Sequence, residues 1–145
     1  MKFYISAKWH LRDKVKEINA YLRERGHQIT ADWTQRAYSR DYDGQNEAQS
    51  AEFSEEEISA ILSSDVFIHL SDLGGKGKYV DLGIALAGNK LQQGKPIIYV
   101  IGENASESQF YFNRSVRRKV TNDLIGSLDE ILQEAKLKTP QPQPR

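Results

Sequence analysis

Asp81 is the carboxylate of this chain best placed to do chemistry. It lies just beyond the glycine-rich run Leu73-Gly74-Gly75-Lys76-Gly77-Lys78, which itself follows the apolar stretch Val66-Phe67-Ile68-His69-Leu70. That order reads as a buried strand, a turn, and a helix from about Tyr79 to Leu91 whose first turn carries Asp81. In an open parallel α/β sheet, ligands bind in the crevice outside the carboxyl ends of the strands. Glycines there let a ligand approach the backbone, and a helix N-terminus favours negative charge. A carboxylate in such a crevice can serve as nucleophile, as base or as ligand for a sugar hydroxyl. The same place also suits a carboxylate that only complements the helix dipole, worth about 0.3–1 kcal/mol. Asp72 falls on the rim at the end of the strand, where a ligand contact and a turn-forming hydrogen bond are equally good readings. Gly74, Gly75 and Gly77 suit a cradle for a sugar or phosphate, and equally a tight turn. The neighbouring lysines lack the Gly-Lys-Ser/Thr ending of a P-loop.

The elements around these residues follow from the hydrophobic pattern. Lys2 to Ala7 is short and rich in strand formers. Leu11, Val15, Ile18 and Leu22 recur at helical spacing, and Gly26 stops that helix. His27 to Ala31 predicts a second strand. A long polar stretch with Tyr38, Tyr42 and Gly44 then runs to about Gln49, a loop long enough to act as a lid. A second helix carries Phe53, Ile58, Ile61 and Leu62, with Glu52, Glu55, Glu56 and Glu57 crowding its N-terminal half. Strand three spans Asp65 to Leu70. Pro96 to Ile101 is continuously apolar, as in a central strand covered on both faces. A short fifth strand is expected near Phe110 or at Val116 to Val120, and a last helix at Asn122 to Lys136. The alternation implies an α/β fold, a three-layer doubly wound parallel sheet in the flavodoxin-like order 2-1-3-4-5. It occupies one domain, residues 1–137, with residues 138–145 a disordered Pro/Gln tail.

Composition removes several classes of function. Twenty basic and twenty acidic side chains cancel, so no bulk field recruits a DNA or RNA polymer or an anionic membrane. The basic group Arg114, Arg117, Arg118 and Lys119 is expected to be a solvated face. There is no cysteine, and His10, His27 and His69 lie far apart, so no metal centre is expected. His69, mid-strand among apolar residues, reads as a satisfied interior histidine. No segment approaches the roughly 18 apolar residues of a membrane span, which points to a cytoplasmic protein.

Several blocks in order resemble the nucleoside 2-deoxyribosyltransferase family and its relatives, the deoxynucleoside 5'-monophosphate N-hydrolases. They are Phe3-Tyr4-Ile5-Ser6-Ala7; Gly26-His-Gln-Ile-Thr-Ala-Asp32-Trp33; Glu57-Ile-Ser-Ala-Ile-Leu-Ser-Ser-Asp65-Val66; and Gly74 through Ala87 followed by Gly94-Lys-Pro-Ile-Ile98. Phe110-Tyr111 before the last helix also fits, and the blocks together reach from Lys2 to about Leu132. The resemblance implies that a carboxylate just before Leu-Gly on the third helix attacks the anomeric carbon of a nucleoside sugar, the base leaving. That position is Asp81, where the family generally has glutamate. The assisting carboxylate falls on Glu57, where the nucleotide hydrolases have aspartate. One side chain is shorter and the other longer, by roughly 1.5 Å each. The family's strand-one tyrosine falls on Phe3, with Tyr4 expected on the other face. Ala7, Trp9, Trp33, Asp72 and the three glycines of the turn are the expected walls, either tryptophan suiting a nucleobase stack or ordinary packing.

The function so implied is cleavage or transfer at the N-glycosidic bond of a small-molecule (deoxy)nucleoside or nucleoside 5'-monophosphate, and it implies no cofactor. A non-catalytic nucleotide binder of the same fold is the rival, and an NAD glycohydrolase of the Toll/interleukin-receptor type is a third reading. The resemblance also implies a homodimer or larger homo-oligomer. On the third helix the small residues Ala85, Ala87 and Gly88 would allow a close helix approach.

Overall fold

The computed structural model describes residues 1–36 and 47–138. Its elements are β1 (Lys2–Ser6), α1 (Arg12–Glu24), β2 (Gln28–Ile29), α2 (Glu47–Ser63), β3 (Val66–Leu70), α3 (Lys76–Leu91), β4 (Ile97–Ile101), β5 (Val116–Lys119) and α4 (Leu124–Lys138). The five strands form one parallel sheet in the order β2-β1-β3-β4-β5, the flavodoxin-like arrangement.

Strand alternation decides which side chains meet the helices. On β1, Tyr4 and Ser6 face the layer containing α3, and Ser6 reaches Asp81 there. The Tyr4 ring lies parallel to that of Phe67 on β3, with centroids 5.9 Å apart. The opposite face meets α1 and α4: the Tyr99 hydroxyl of β4 donates to Glu134 of α4 at 2.7 Å. Val66 to Leu70 are buried without exception, as are Ile98 to Ile101, because helices cover both faces of these central strands.

Several expected boundaries move. β2 shrinks to two residues, paired with Lys2 and Phe3. Beyond it the Trp33 indole N–H donates to the Ile5 carbonyl at 2.7 Å, taking over where the strand ladder stops. α2 begins at Glu47, inside the stretch that reads as a loop in sequence; Tyr38, Tyr42 and Gly44 lie outside the described residues. α3 begins at Lys76 rather than near Tyr79, so Asp81 sits in its second turn, beyond the zone where the helix dipole acts strongly. Phe110 and Tyr111 belong to a short 3₁₀ turn, Gln109–Phe112, and the fifth strand is the alternative at Val116. The Pro/Gln tail after Lys138 lies outside the described residues. Gly88 serves packing within the chain. A Cβ there would meet the Leu62 side chain at 2.9 Å, so α2 and α3 of one chain use that closeness. Among the described residues no helix is long and apolar enough to cross a membrane.

Candidate active site

Asp81 reaches the sheet at the carboxyl end of β1. Its Oδ2 accepts a hydrogen bond from the Ser6 hydroxyl at 2.9 Å, and the Tyr4 hydroxyl also bonds its carboxylate. Burial, and then the charge of Glu57 on α2, push the Asp81 carboxyl up from 3.8 to about 7. The two hydroxyls and the nearby Arg36 act the other way, favouring the carboxylate. Tyr4 is fully buried, and burial followed by the charges of Asp81 and Glu57 holds its phenol well above its ordinary value. It therefore stays protonated and remains a donor.

Sequence reasoning passes over Tyr4 and Ser6 as site residues, although a signal is present. They stand two apart on one strand and both carry hydroxyls, whereas Phe3 and Ile5 on the other parity are purely apolar. Phe3 is thus corrected as a site residue: it is fully buried on the face opposite Ser6, edge-on to the His27 ring at 5.2 Å. Tyr4 holds the place at the carboxylate.

Glu57 lies on the α2 side of Asp81, close enough to influence it. Its carboxylate pairs with Arg36, which also pairs with Glu56. The tryptophans meet each other beside the end of β1, ring centroids 6.0 Å apart, with Trp33 buried and Trp9 half-buried. Ala7, also half-buried, follows β1 at this end.

The glycine turn is organised by lysines. Lys78 is buried, and its ammonium folds back to donate to the Asp72 carbonyl and, at 3.3 Å, to the Leu70 carbonyl. Burial first, then the charge of Lys8, lower it to about 8, while the Asp72 carboxylate opposes. The Lys8 ammonium donates to the Leu73 carbonyl at 2.9 Å. Asp72 is thereby tied to Lys78 rather than to Asp81. His69 is buried, its Nε2 2.8 Å from the Tyr111 hydroxyl. Burial and then Lys78 lower it to about 3, so it is neutral at ordinary pH. Asp65 buttresses the start of β3, accepting from the Lys2 N–H at 2.7 Å. Arg117 and Lys119 face Glu134 of α4, so the basic group is partly neutralised within the chain.

The three glycines of the turn are not equivalent. Gly74 and Gly75 have φ of 87° and 83°, in the region that favours glycine. A Cβ on Gly75 would also come within 2.6 Å of the Lys8 Cβ, whereas one on Gly77, inside α3, meets nothing within 4 Å. Gly75→Ala is expected to cost about 1–3 kcal/mol and to displace Lys8. Gly77→Ala is expected to be neutral or to stabilise by up to about 1 kcal/mol. Urea titrations measure both, and equal effects at the two positions would refute this account of the turn.

No family model matches the sequence, and no curated protein matches it. Among solved structures, the chain is similar to a CMP N-glycosidase from Clostridium botulinum, with a TM-score of 0.62 and 13% identity over 90% of this chain and 98% of that one. The likeness is one of fold, the doubly wound sheet between helix layers.

Proposed function

We propose that this chain breaks the N-glycosidic bond of a nucleoside or nucleoside 5'-monophosphate, with Asp81 as the attacking carboxylate. The observation that carries the reading is the seating of Asp81: a partly buried carboxyl at the end of the strand next to the switch in strand order, held by the Tyr4 and Ser6 hydroxyls, with a second carboxylate beside it. The fold shared with an N-glycosidase supports it.

In this reading the ionised Asp81 forms a bond to the anomeric carbon as the carbon–nitrogen bond breaks and its electron pair leaves with the base. The departing base takes its proton from solvent. Water, or a second base, then attacks the same carbon and releases Asp81, and the Glu57 carboxylate, paired with Arg36, is the group proposed to accept the proton that this nucleophile gives up. A carboxylate with few waters around it is more basic and more nucleophilic than one in solution. The Ser6 and Tyr4 hydroxyls fix the orientation of the carboxylate. Ala7, Trp9, Trp33, Asp72 and Gly75 are proposed as walls, and no cofactor or metal takes part. The test is incubation with a panel of nucleosides, monophosphates and NAD, with released base measured by chromatography. Base release from nucleosides or monophosphates is expected. Binding without release assigns a non-catalytic binder, and release from NAD alone assigns a glycohydrolase.

We also propose a homodimer or larger assembly. Ile58 of α2 and Val80 and Leu91 of α3 remain exposed, Val80 by 64% and Leu91 by 84%, although Ala85 and Gly88 are used within the chain. Light scattering at micromolar concentration is expected to give at least twice the 16.5 kDa chain mass. A monomer with undiminished base release would overturn this expectation.

A further inference from the structure

Arg36 follows the short 3₁₀ turn Trp33–Gln35 and reaches across to α2. One guanidinium nitrogen lies 2.5 Å from Glu57 Oε1 and another 3.1 Å from Glu56 Oε2. Its guanidinium carbon sits 4.1 Å from the centre of the Phe53 ring. Carboxylates take the edge of the planar fork and an aromatic ring takes its face, so its orientation is fixed from two directions. The Arg36 side chain is 15% exposed, against 56% for Glu56, so the charge is partly withdrawn from water and acts at short range. No feature of the sequence ties Arg36 to Glu57; folding alone brings them together.

We propose that Arg36 is the positioning residue of the carboxylate pair, holding Glu57 in one place beside Asp81 and offsetting its negative charge there. The proposal rests on reading Asp81 and Glu57 as the reacting pair. The groups facing Asp81 can be named from each side. β1 supplies the Tyr4 and Ser6 hydroxyls, α2 supplies Glu57, and the segment after β2 supplies Arg36. On β3, His69 is uncharged. On α3 itself, the Lys78 ammonium is turned to the carbonyls at the end of β3. Among the described residues, Arg36 is therefore the cation set against the like charges of the pair. Without it, an unpaired Glu57 carboxylate would oppose ionisation of Asp81 and would also lose its fixed orientation.

The experiment is Arg36→Gln with two readouts: the pH dependence of base release, and the titration of the Asp81 carboxyl followed by carbon-13 NMR. The titration midpoint is expected to rise by about one pH unit, with the rate at pH 6.5 falling about tenfold as the ionised fraction falls. The double variant Arg36→Gln/Glu57→Gln is expected to return the midpoint to the parent value or below, because the charge to be offset is gone. Arg36→Lys keeps the charge without the fork. It should hold the midpoint within about half a pH unit yet lower the rate at alkaline pH severalfold. An unmoved midpoint in folded Arg36→Gln overturns the electrostatic half of the proposal. A parent-like alkaline rate in Arg36→Lys overturns the positional half. The NMR arm needs no activity. A shifted midpoint in a protein that never releases base would support the role of Arg36 and sink the catalytic reading separately.

Discussion

Asp81→Asn is expected to abolish base release, lowering the rate by a factor of roughly a thousand or more, while the protein still folds and binds. An amide cannot supply the electron pair that forms the bond to the anomeric carbon, whereas it can still accept from Ser6 and Tyr4. In the parent protein the rate should rise with pH to a plateau, with a midpoint near the carboxyl value of about 7, because only the ionised form attacks. Asp81→Glu separates two histories of the pocket. A side chain longer by roughly 1.5 Å speeds a site shaped for glutamate by about tenfold or more. It slows a site rebuilt around aspartate to a similar degree. Base release at the parent rate in Asp81→Asn would remove this residue from the mechanism. A rate that falls as pH rises through 7 would instead make its protonated form the active one.

Removing the same charge is expected to stabilise the fold at alkaline pH. The Asp81 carboxyl rises from 3.8 to about 7 on folding, chiefly through burial. Between those values the folded chain keeps a proton that the unfolded chain has released. Its contribution to stability is therefore full below about pH 4 and falls as pH rises, by about 1.4 kcal/mol per pH unit at most. The loss is complete above about pH 7 and amounts to no more than about 4 kcal/mol. Asp81→Asn has no such loss. Urea unfolding should find it about 1–3 kcal/mol more stable than the parent at pH 8, and no more stable at pH 4. Parallel stability curves for the two proteins from pH 4 to 8 would show that Asp81 is solvated like a surface carboxylate. A residue that costs stability where its ionised form is needed is a common mark of a functional site.

How much of the site is legible in the chain depends on where each contact comes from. The third strand, glycine turn and helix are contiguous, so the place of Asp81 near the carboxyl ends of the strands follows from local pattern alone. Glu57 can be singled out only by its offset from Asp65 in a resembling family, since Glu55 and Glu56 look identical beside it. Tyr4 and Ser6 are encoded by strand parity, but parity says that two residues share a face without saying which layer that face meets. Assigning Phe3 to the crevice is the consequence. Arg36 is invisible for a different reason: its partners lie on another element, and neither Glu56 nor Glu57 is near it in sequence. In the sequence Lys78 is one more lysine of the glycine turn, yet its ammonium donates to the carbonyls of Leu70 and Asp72.

Layers and strand order were already written in the chain. Period-2 and period-3.6 patterns are local, right-handed crossovers leave few topologies, and burying apolar stripes on both faces selects the doubly wound sheet. The chemical state of the site came only with folding. Whether Asp81 holds a proton near neutral pH depends on how far it is removed from water and on Glu57, Arg36, Tyr4 and Ser6 coming close through space. Desolvation and Coulomb energies are set by distances across the fold, and residues far apart in the chain have no such distances until it has folded.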